Sequence, residues 1–132
     1  LKSLIALNLR SNQLTTLPES IGQLTSLDIL MLINNQLTSL PDSIGQLKSL
    51  TILPIGINRL TTLPDSIGLL TSLKGLSLSF NPITSLPESI GRLTSLNALE
   101  LVGNQLTKLP KGVKNSLKKL KSQGCAIQGY DV

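Results

Sequence analysis

The stretch Leu27–Gly45, LDILMLINNQLTSLPDSIG, decides the fold because most of the chain repeats it. Each copy follows the pattern Leu-x-x-Leu-x-Leu/Ile-x-x-Asn-x-Leu/Ile-Thr-x-Leu-Pro, in which x varies. The asparagine of this pattern recurs every 23 residues, at Asn12, Asn35, Asn58, Asn81 and Asn104. Self-similarity at a fixed period of about 20 to 50 residues is typical of a solenoid, whose units bury their apolar faces only against one another.

The apolar pattern inside each copy predicts one short strand followed by a turn. Leu30 and Leu32 lie two residues apart, so both point to one face of a strand. The side chains of Ile29, Met31 and Ile33 then point to the other face. After each strand, a Pro-Asp/Glu-Ser-Ile-Gly run predicts a single helical or 3₁₀ turn, with the proline at its first position and the glycine ending it.

The repeated asparagines are predicted to be structural. Each one follows a strand, where the chain turns inward and its backbone groups lose contact with water. A carboxamide offers two hydrogen-bond donors and an acceptor to such groups. We therefore expect each side chain to bond the backbone of its own and the next turn, which forms a ladder along the solenoid.

With this pattern the sequence resembles the leucine-rich repeat family, in the short-helix form found in bacterial, plant and intracellular animal proteins. The resemblance covers residues 1–113. It implies an α/β solenoid: a right-handed horseshoe segment with a parallel sheet on its concave face and short helical or 3₁₀ turns on its convex face. It also implies that the concave face binds a protein, either alone or as the recognition part of a larger signalling or effector protein.

The two ends of the chain depart from the repeat. Residues 1–111 are predicted to hold about five units, the first opening in mid-unit, so that its apolar edge is bare unless a longer protein or a partner covers it. Val113, Leu117 and Leu120 are spaced as one face of a helix. Residues 112–132 are therefore predicted to form a C-terminal cap, with a helix over 112–123 and then a short final strand or tail.

Apolar side chains gather on the predicted concave face of the middle turns. Strand positions there do not need burial for the fold, so exposed apolar side chains indicate a contact site. We predict a hydrophobic site for a protein partner, with polar residues beside it. Its candidate residues are Arg10, Ile29, Met31, Ile33, Ile52, Pro54, Ile57, Ser77, Phe80 and Glu100.

Pro54 stands in the middle of the third predicted strand. Proline has no N–H to give to a sheet and is normally confined to edges and bulges. The sequence therefore predicts a local defect in this strand between regular neighbours. Either the defect frees a carbonyl group for a ligand, or it has no function.

The whole net charge of +5 lies in residues 108–132, which hold six lysines against Asp131. Lys114, Lys118 and Lys121 form a stripe beside the apolar face of the predicted cap helix. A basic scaffold for nucleic acid or an anionic membrane is therefore an alternative function. The lack of an aromatic stacking partner before Tyr130 argues against it. Self-association is a third alternative.

Residue types that carry out catalysis are scarce. The chain has no histidine and one cysteine, Cys125, and its acidic residues are spread about one per turn. Acid–base, nucleophilic and metal chemistry need such groups close together. We expect a non-catalytic module with no metal, cofactor or small-molecule substrate. Extracellular animal members of the family usually have cysteine-rich caps, so the resemblance favours an intracellular or bacterial protein, secreted effectors included.

Overall fold

A single parallel sheet runs through residues 1–132, all of which the computed structural model describes. Its six strands lie side by side in chain order: β1 Ala6–Asn8, β2 Ile29–Met31, β3 Ile52–Pro54, β4 Gly75–Ser77, β5 Ala98–Glu100 and β6 Ala126–Gln128. Four 3₁₀ turns connect the first five strands: η1 Glu19–Gln23, η2 Asp42–Gln46, η3 Asp65–Leu69 and η4 Glu88–Arg92. One α-helix, α1 Lys111–Ser122, connects β5 to β6. The predicted solenoid is confirmed, and its sheet is open.

The sheet register follows the sequence period. Leu53 pairs with Leu76, and Leu76 pairs with Leu99 on the next strand. These leucines therefore stack into columns and are at most 1% exposed. A core of 31 buried residues extends from these columns, and all but Val113 and Cys125 are leucine or isoleucine. Because this core takes one face of the sheet, the other face is left free.

The convex turns differ from the prediction in how proline and glycine act. Pro41 is extended, at φ −69° and ψ 151°, and precedes η2 instead of forming its first residue. Gly45 lies inside η2 and does not end it. A Cβ added at Gly45 would stand 2.7 Å from the carbonyl oxygen of Ser66. The glycine is therefore needed for close stacking of one turn on the next. The same close approach is found at Gly22 and Gly68.

The asparagine ladder runs backwards along the chain. The Nδ2 of Asn58 donates to the carbonyl oxygens of Leu32, on the preceding turn, at 2.9 Å and of Ile55, on its own turn, at 3.0 Å. Its Oδ1 accepts the N–H of Leu37 at 3.0 Å. The prediction that each asparagine bonds the next turn is therefore wrong, because Asn58 bonds the preceding turn. Equivalent bonds are made by Asn35 and Asn81.

The first and last asparagines lack part of this pattern. Asn12 is exposed and donates only to carbonyl oxygens of its own turn, on Leu9 and Arg10. Asn104 donates to Leu78 and Asn81, but its buried Oδ1 has no partner. Full ladder rungs therefore exist only in the middle turns.

Helix α1 covers the last turn of the solenoid. It begins at Lys111, one residue before the predicted start, because the extended Pro110 precedes it directly, and it ends at Ser122. Its buried face is the predicted one, with Val113, Leu117 and Leu120 at most 3% exposed. Strand β6 follows and pairs with β5, so the sheet gains a sixth strand beyond the last repeat.

Candidate functional site

The free sheet face carries the residues that were predicted to bind a partner. We keep the name concave face for it and define it by rows of outward side chains. One row contains Ala6, Ile29, Ile52, Gly75 and Ala98, and the next contains Asn8, Met31, Pro54, Ser77 and Glu100. The 23-residue period extends these to a third row of Arg10, Ile33, Gly56, Ser79 and Val102, and a fourth of Ser11, Asn34, Ile57, Phe80 and Gly103.

A shallow depression of about 350 Å³ lies on this face, over strands β3, β4 and β5. Five of the ten predicted residues line it: Ile33, Ile52, Pro54, Ser77 and Glu100. Gly75 and Ala98 also line it, although they were absent from the predicted site. Their small size was the available signal, because a row with a large residue followed by two small ones forms a hollow.

Ile52 forms one wall of the depression. A Cβ added at Gly75 would stand 3.3 Å from Cδ1 of Ile52, so the isoleucine side chain reaches over the neighbouring strand at the glycine. Ile52 nevertheless remains 39% exposed. The depression therefore has an apolar side that the fold itself does not cover.

The opposite side of the depression is polar. The hydroxyl of Ser77 donates to Oε2 of Glu100 at 3.1 Å, across neighbouring strands. Glu100 is exposed and Ser77 is half-buried. An apolar wall and a carboxylate thus face one hollow.

The rim of the concave face has an unusual backbone conformation. Ile57 and Phe80 have positive φ values of 56° and 60°, although their side chains are large and half-exposed. This left-handed region costs an L-residue about 1 to 2 kcal/mol. Ser11, Asn34 and Gly103 have the same conformation in their own turns. The sequence analysis did not predict this strain. Ile57 and Phe80 are the two large apolar residues among the five with this conformation.

The ring of Phe80 lies over Gly103. A Cβ added at this glycine would stand 2.5 Å from Cδ1 of the ring, and the backbone N–H of Phe80 donates to Val102 at 2.8 Å. The glycine therefore provides both the left-handed backbone and the room for the ring. Phe80 remains 60% exposed on its other side.

Besides Ile57 and Phe80 at the rim, three predicted residues lie outside the depression, on β2 and beside β1. Ile29 pairs with Ile52 and Met31 lies two residues further along the strand, both half-buried. Arg10 is exposed on the first turn, and its backbone N–H donates to the side chain of Asn8. The structure therefore brings Ile29 and Met31 next to the depression and leaves Arg10 at one end of the face.

Pro54 interrupts the sheet on one side only. Between β2 and β3 a single residue pair is in register, Ile29 with Ile52, whereas β3 and β4 pair over all three residues. The carbonyl oxygen of Pro54 still accepts the N–H of Leu32 at 3.0 Å. The predicted local defect is present, and it comes from the missing N–H of the proline.

The lysines of the predicted basic patch lie on α1 with exposed side chains. Lys114 and Lys118 line a smaller hollow of about 180 Å³ together with Tyr130. The Nζ of Lys121 donates to the carbonyl oxygen of Val132 at 3.2 Å. Residues 130–132 therefore occupy part of the surface along this lysine stripe.

Groups with a potential for chemistry lie apart from one another. Nowhere do three or more Cys, Asp or Glu residues come together as a metal site would need. Cys125 is buried, and this burial raises the pKa of its thiol because the charged thiolate loses hydration. The thiol therefore stays protonated at neutral pH, which does not favour nucleophilic attack.

Comparison with known families agrees with the geometry. Two family descriptions match the sequence, "Leucine-rich repeat region" over residues 1–81 and "Leucine Rich repeats (2 copies)" over residues 71–115. The chain belongs to the leucine-rich repeat family. Leucine-rich repeats generally serve as protein–protein interaction modules and are typically non-enzymatic. No helix of this leucine-rich repeat chain has the length and apolar character needed to cross a membrane.

Two solved structures of bacterial proteins are similar to the chain. A leucine-rich repeat protein of Leptospira interrogans is similar with a TM-score of 0.85 and 37% identity, over 97% of this chain and 38% of that one. An internalin of Listeria monocytogenes shares the fold, with a TM-score of 0.72 and 23% identity, over 95% of this chain and 41% of that one. This chain thus spans less than half the length of either. No curated protein matched the sequence.

Proposed function

We propose that this leucine-rich repeat chain is a non-catalytic recognition module that binds a protein partner through its concave face. The observation that carries the proposal is the exposure of large apolar side chains on that face. Ile52, Ile57 and Phe80 are 39%, 51% and 60% exposed. The leucine columns hold the sheet together from its other face, so the fold gains little from these side chains.

Backbone strain supports a role in binding for two of these residues. Ile57 and Phe80 occupy left-handed positions that disfavour branched and bulky side chains. Asn34 occupies the same position one turn before Ile57, and asparagine tolerates it better. Strained residues that persist on a surface are typical of ligand-contact sites.

The layout of the face also suits a protein interface. Such interfaces have an apolar centre and a polar rim. The apolar residues of β2 and β3 lie between Arg10, which follows β1, and Glu100, which is on β5. Six strands at about 4.8 Å spacing give a face roughly 24 Å wide, enough for an extended segment or a small domain surface.

The proposal is tested with the double variant Met31→Asp and Ile52→Asp. Both side chains are partly exposed, so the chain is expected to fold with nearly unchanged thermal stability, while the apolar face gains two charges. Leu69→Asp is the matched control, because Leu69 is 45% exposed and ends η3 on the convex side.

The three immobilised chains are incubated with a lysate of the source organism, and retained proteins are identified by mass spectrometry. We expect a protein that is held by the wild type and by Leu69→Asp and is lost from the double variant. Retention of the same proteins by all three chains would reject the concave face as the binding site. Circular dichroism of each variant confirms that it is folded.

A further inference from the structure

Charged side chains are almost absent from the concave face. Among the twenty positions in its four rows, only Arg10 and Glu100 are ionised. They lie on the first and fifth turns, four strand spacings or roughly 19 Å apart, well beyond the Debye length of about 8 Å at physiological salt. The charge beside the depression is therefore one isolated carboxylate in a largely apolar surface.

The Glu100 carboxylate keeps most of its hydrogen-bonding capacity free. The hydroxyl of Ser77 supplies its one side-chain hydrogen bond, at 3.1 Å. An ionised carboxylate has about four acceptor sites. Its paired neighbours across the sheet, Ser77 and Gln128, are both uncharged. Lys74 lies three residues before Ser77, roughly 10 Å along the strand, so the ladder places no cation directly beside Glu100.

The depression separates this carboxylate from an apolar wall. Pro54 pairs with Ser77, and Ser77 pairs with Glu100, so the proline and the acid lie two strand spacings apart, about 10 Å. Gly75 and Ala98, in the neighbouring row, also line the depression and add no large side chain to it. A long side chain with an aliphatic stem and a cationic head matches this order of surfaces, because lysine and arginine place stems on apolar surface and heads at polar groups.

We propose that the depression binds an arginine or lysine side chain of the protein partner, next to an aliphatic residue of that partner. The aliphatic residue and the stem contact Ile52 and Pro54, and the cationic head contacts the free oxygens of Glu100. Arginine is the better fit, because its planar guanidinium can bond both carboxylate oxygens. This inference rests on the proposed function of the concave face and adds the chemistry of the partner segment.

Selection from a random peptide library displayed on phage, with the wild-type chain as target, tests the inference. We expect the enriched peptides to share an arginine or lysine beside an aliphatic residue. A synthetic peptide of the enriched sequence should bind Glu100→Gln about tenfold more weakly than wild type, the scale of one charged hydrogen-bonded contact. Glu19→Gln, which removes an exposed acid from the convex side, is the matched control and should bind like wild type.

The outcomes separate the two proposals. Peptides that lose binding to Ile52→Asp, but lack a basic residue and bind Glu100→Gln normally, would overturn this inference and leave the concave site in place. Peptides that bind Ile52→Asp as well as wild type would overturn both. A selection that enriches only acidic peptides would point to the lysines of α1 and would also reject the inference, as would a selection that enriches nothing.

Discussion

Asn81 joins two turns of the solenoid through its side chain. Its Oδ1 accepts the backbone N–H of Leu60 at 3.0 Å, and its Nδ2 donates to the carbonyl oxygen of Ile55 at 3.1 Å. Both partners belong to the preceding turn, and the side chain itself is 1% exposed. Neighbouring turns are thus held by buried polar contacts as well as by leucine.

Asn81→Ala is expected to lower the free energy of unfolding by about 2 to 3 kcal/mol, because buried backbone groups lose their partners. Asn12→Ala is the matched control. That asparagine is exposed and bonds only its own turn, so its loss should cost less than about 0.5 kcal/mol. Urea unfolding of both variants checks the difference. If both variants lost the same free energy of unfolding, the side-chain bonds of Asn81 to the preceding turn would not contribute to stability.

Gly103→Ala is expected to destabilise the chain by about 2 to 3 kcal/mol, since alanine meets both the left-handed backbone and the Phe80 ring. In the Phe80→Ala variant, Gly103→Ala should cost only about 1 to 2 kcal/mol, because the strain of the left-handed backbone remains but the clash with the ring is gone. A double-mutant cycle by urea unfolding measures this coupling. Additive effects would mean that the ring does not lie on the glycine.

Replacing Pro54 by valine should repair the ladder between β2 and β3. The new N–H at position 54 is expected to bond across to β2 and to exchange slowly with solvent deuterium. The gain of about 0.5 to 1.5 kcal/mol from a hydrogen bond is partly offset by about 0.4 to 1 kcal/mol from a less constrained unfolded chain. Exchange of this amide at an unprotected rate, measured by NMR, would contradict the assignment of the defect to proline.

The basic patch is tested by replacing Lys114, Lys118 and Lys121 with glutamine. All three side chains are exposed, so folding should be unaffected and binding of the concave-face partner unchanged. Any affinity for DNA or anionic vesicles should be weak, fall steeply with salt and disappear in the variant. Tight binding of DNA or anionic vesicles by the wild type, lost at moderate salt and lost in the variant, would instead favour the alternative function.

Because the thiol of Cys125 is buried, the free energy of unfolding is expected to vary with pH in the alkaline range. The pKa of its thiol is raised in the folded chain, so above about pH 8.5 the unfolded chain releases this proton while the folded chain keeps it. The unfolded state then binds fewer protons, and stability falls as pH rises. Between about pH 8 and about pH 10, the free energy of unfolding should fall more for the wild type than for Cys125→Ala. Equal slopes in urea unfolding would contradict this.

The rows of the concave face could be predicted because the 23-residue period brings the same strand position into every turn. Ile52 and Pro54 were therefore placed correctly on one face. The direction of the ladder could not be predicted in this way, since a period reads the same forwards and backwards. The shape of the depression also depends on how the Ile52 side chain reaches over Gly75, which the row order alone does not specify.

The left-handed rim had a signal in the sequence that was missed. Asn34 and Gly103 belong to the fourth row of the concave face, and both residue types tolerate positive φ. Ile57 and Phe80 concealed the signal because they are poor residues for that conformation. Sites where local preference and fold disagree are often functional, and here the disagreement falls on exposed apolar side chains.

A backward-reaching ladder gives the chain a direction for assembly. A polypeptide leaves the ribosome from its N-terminus, so the carbonyl oxygen of Leu32 is available before Asn58 is made. Every newly synthesised turn in the middle of the solenoid then docks on acceptors that are already in place. Growth by adding turns at the later end therefore needs no rearrangement of the earlier ones.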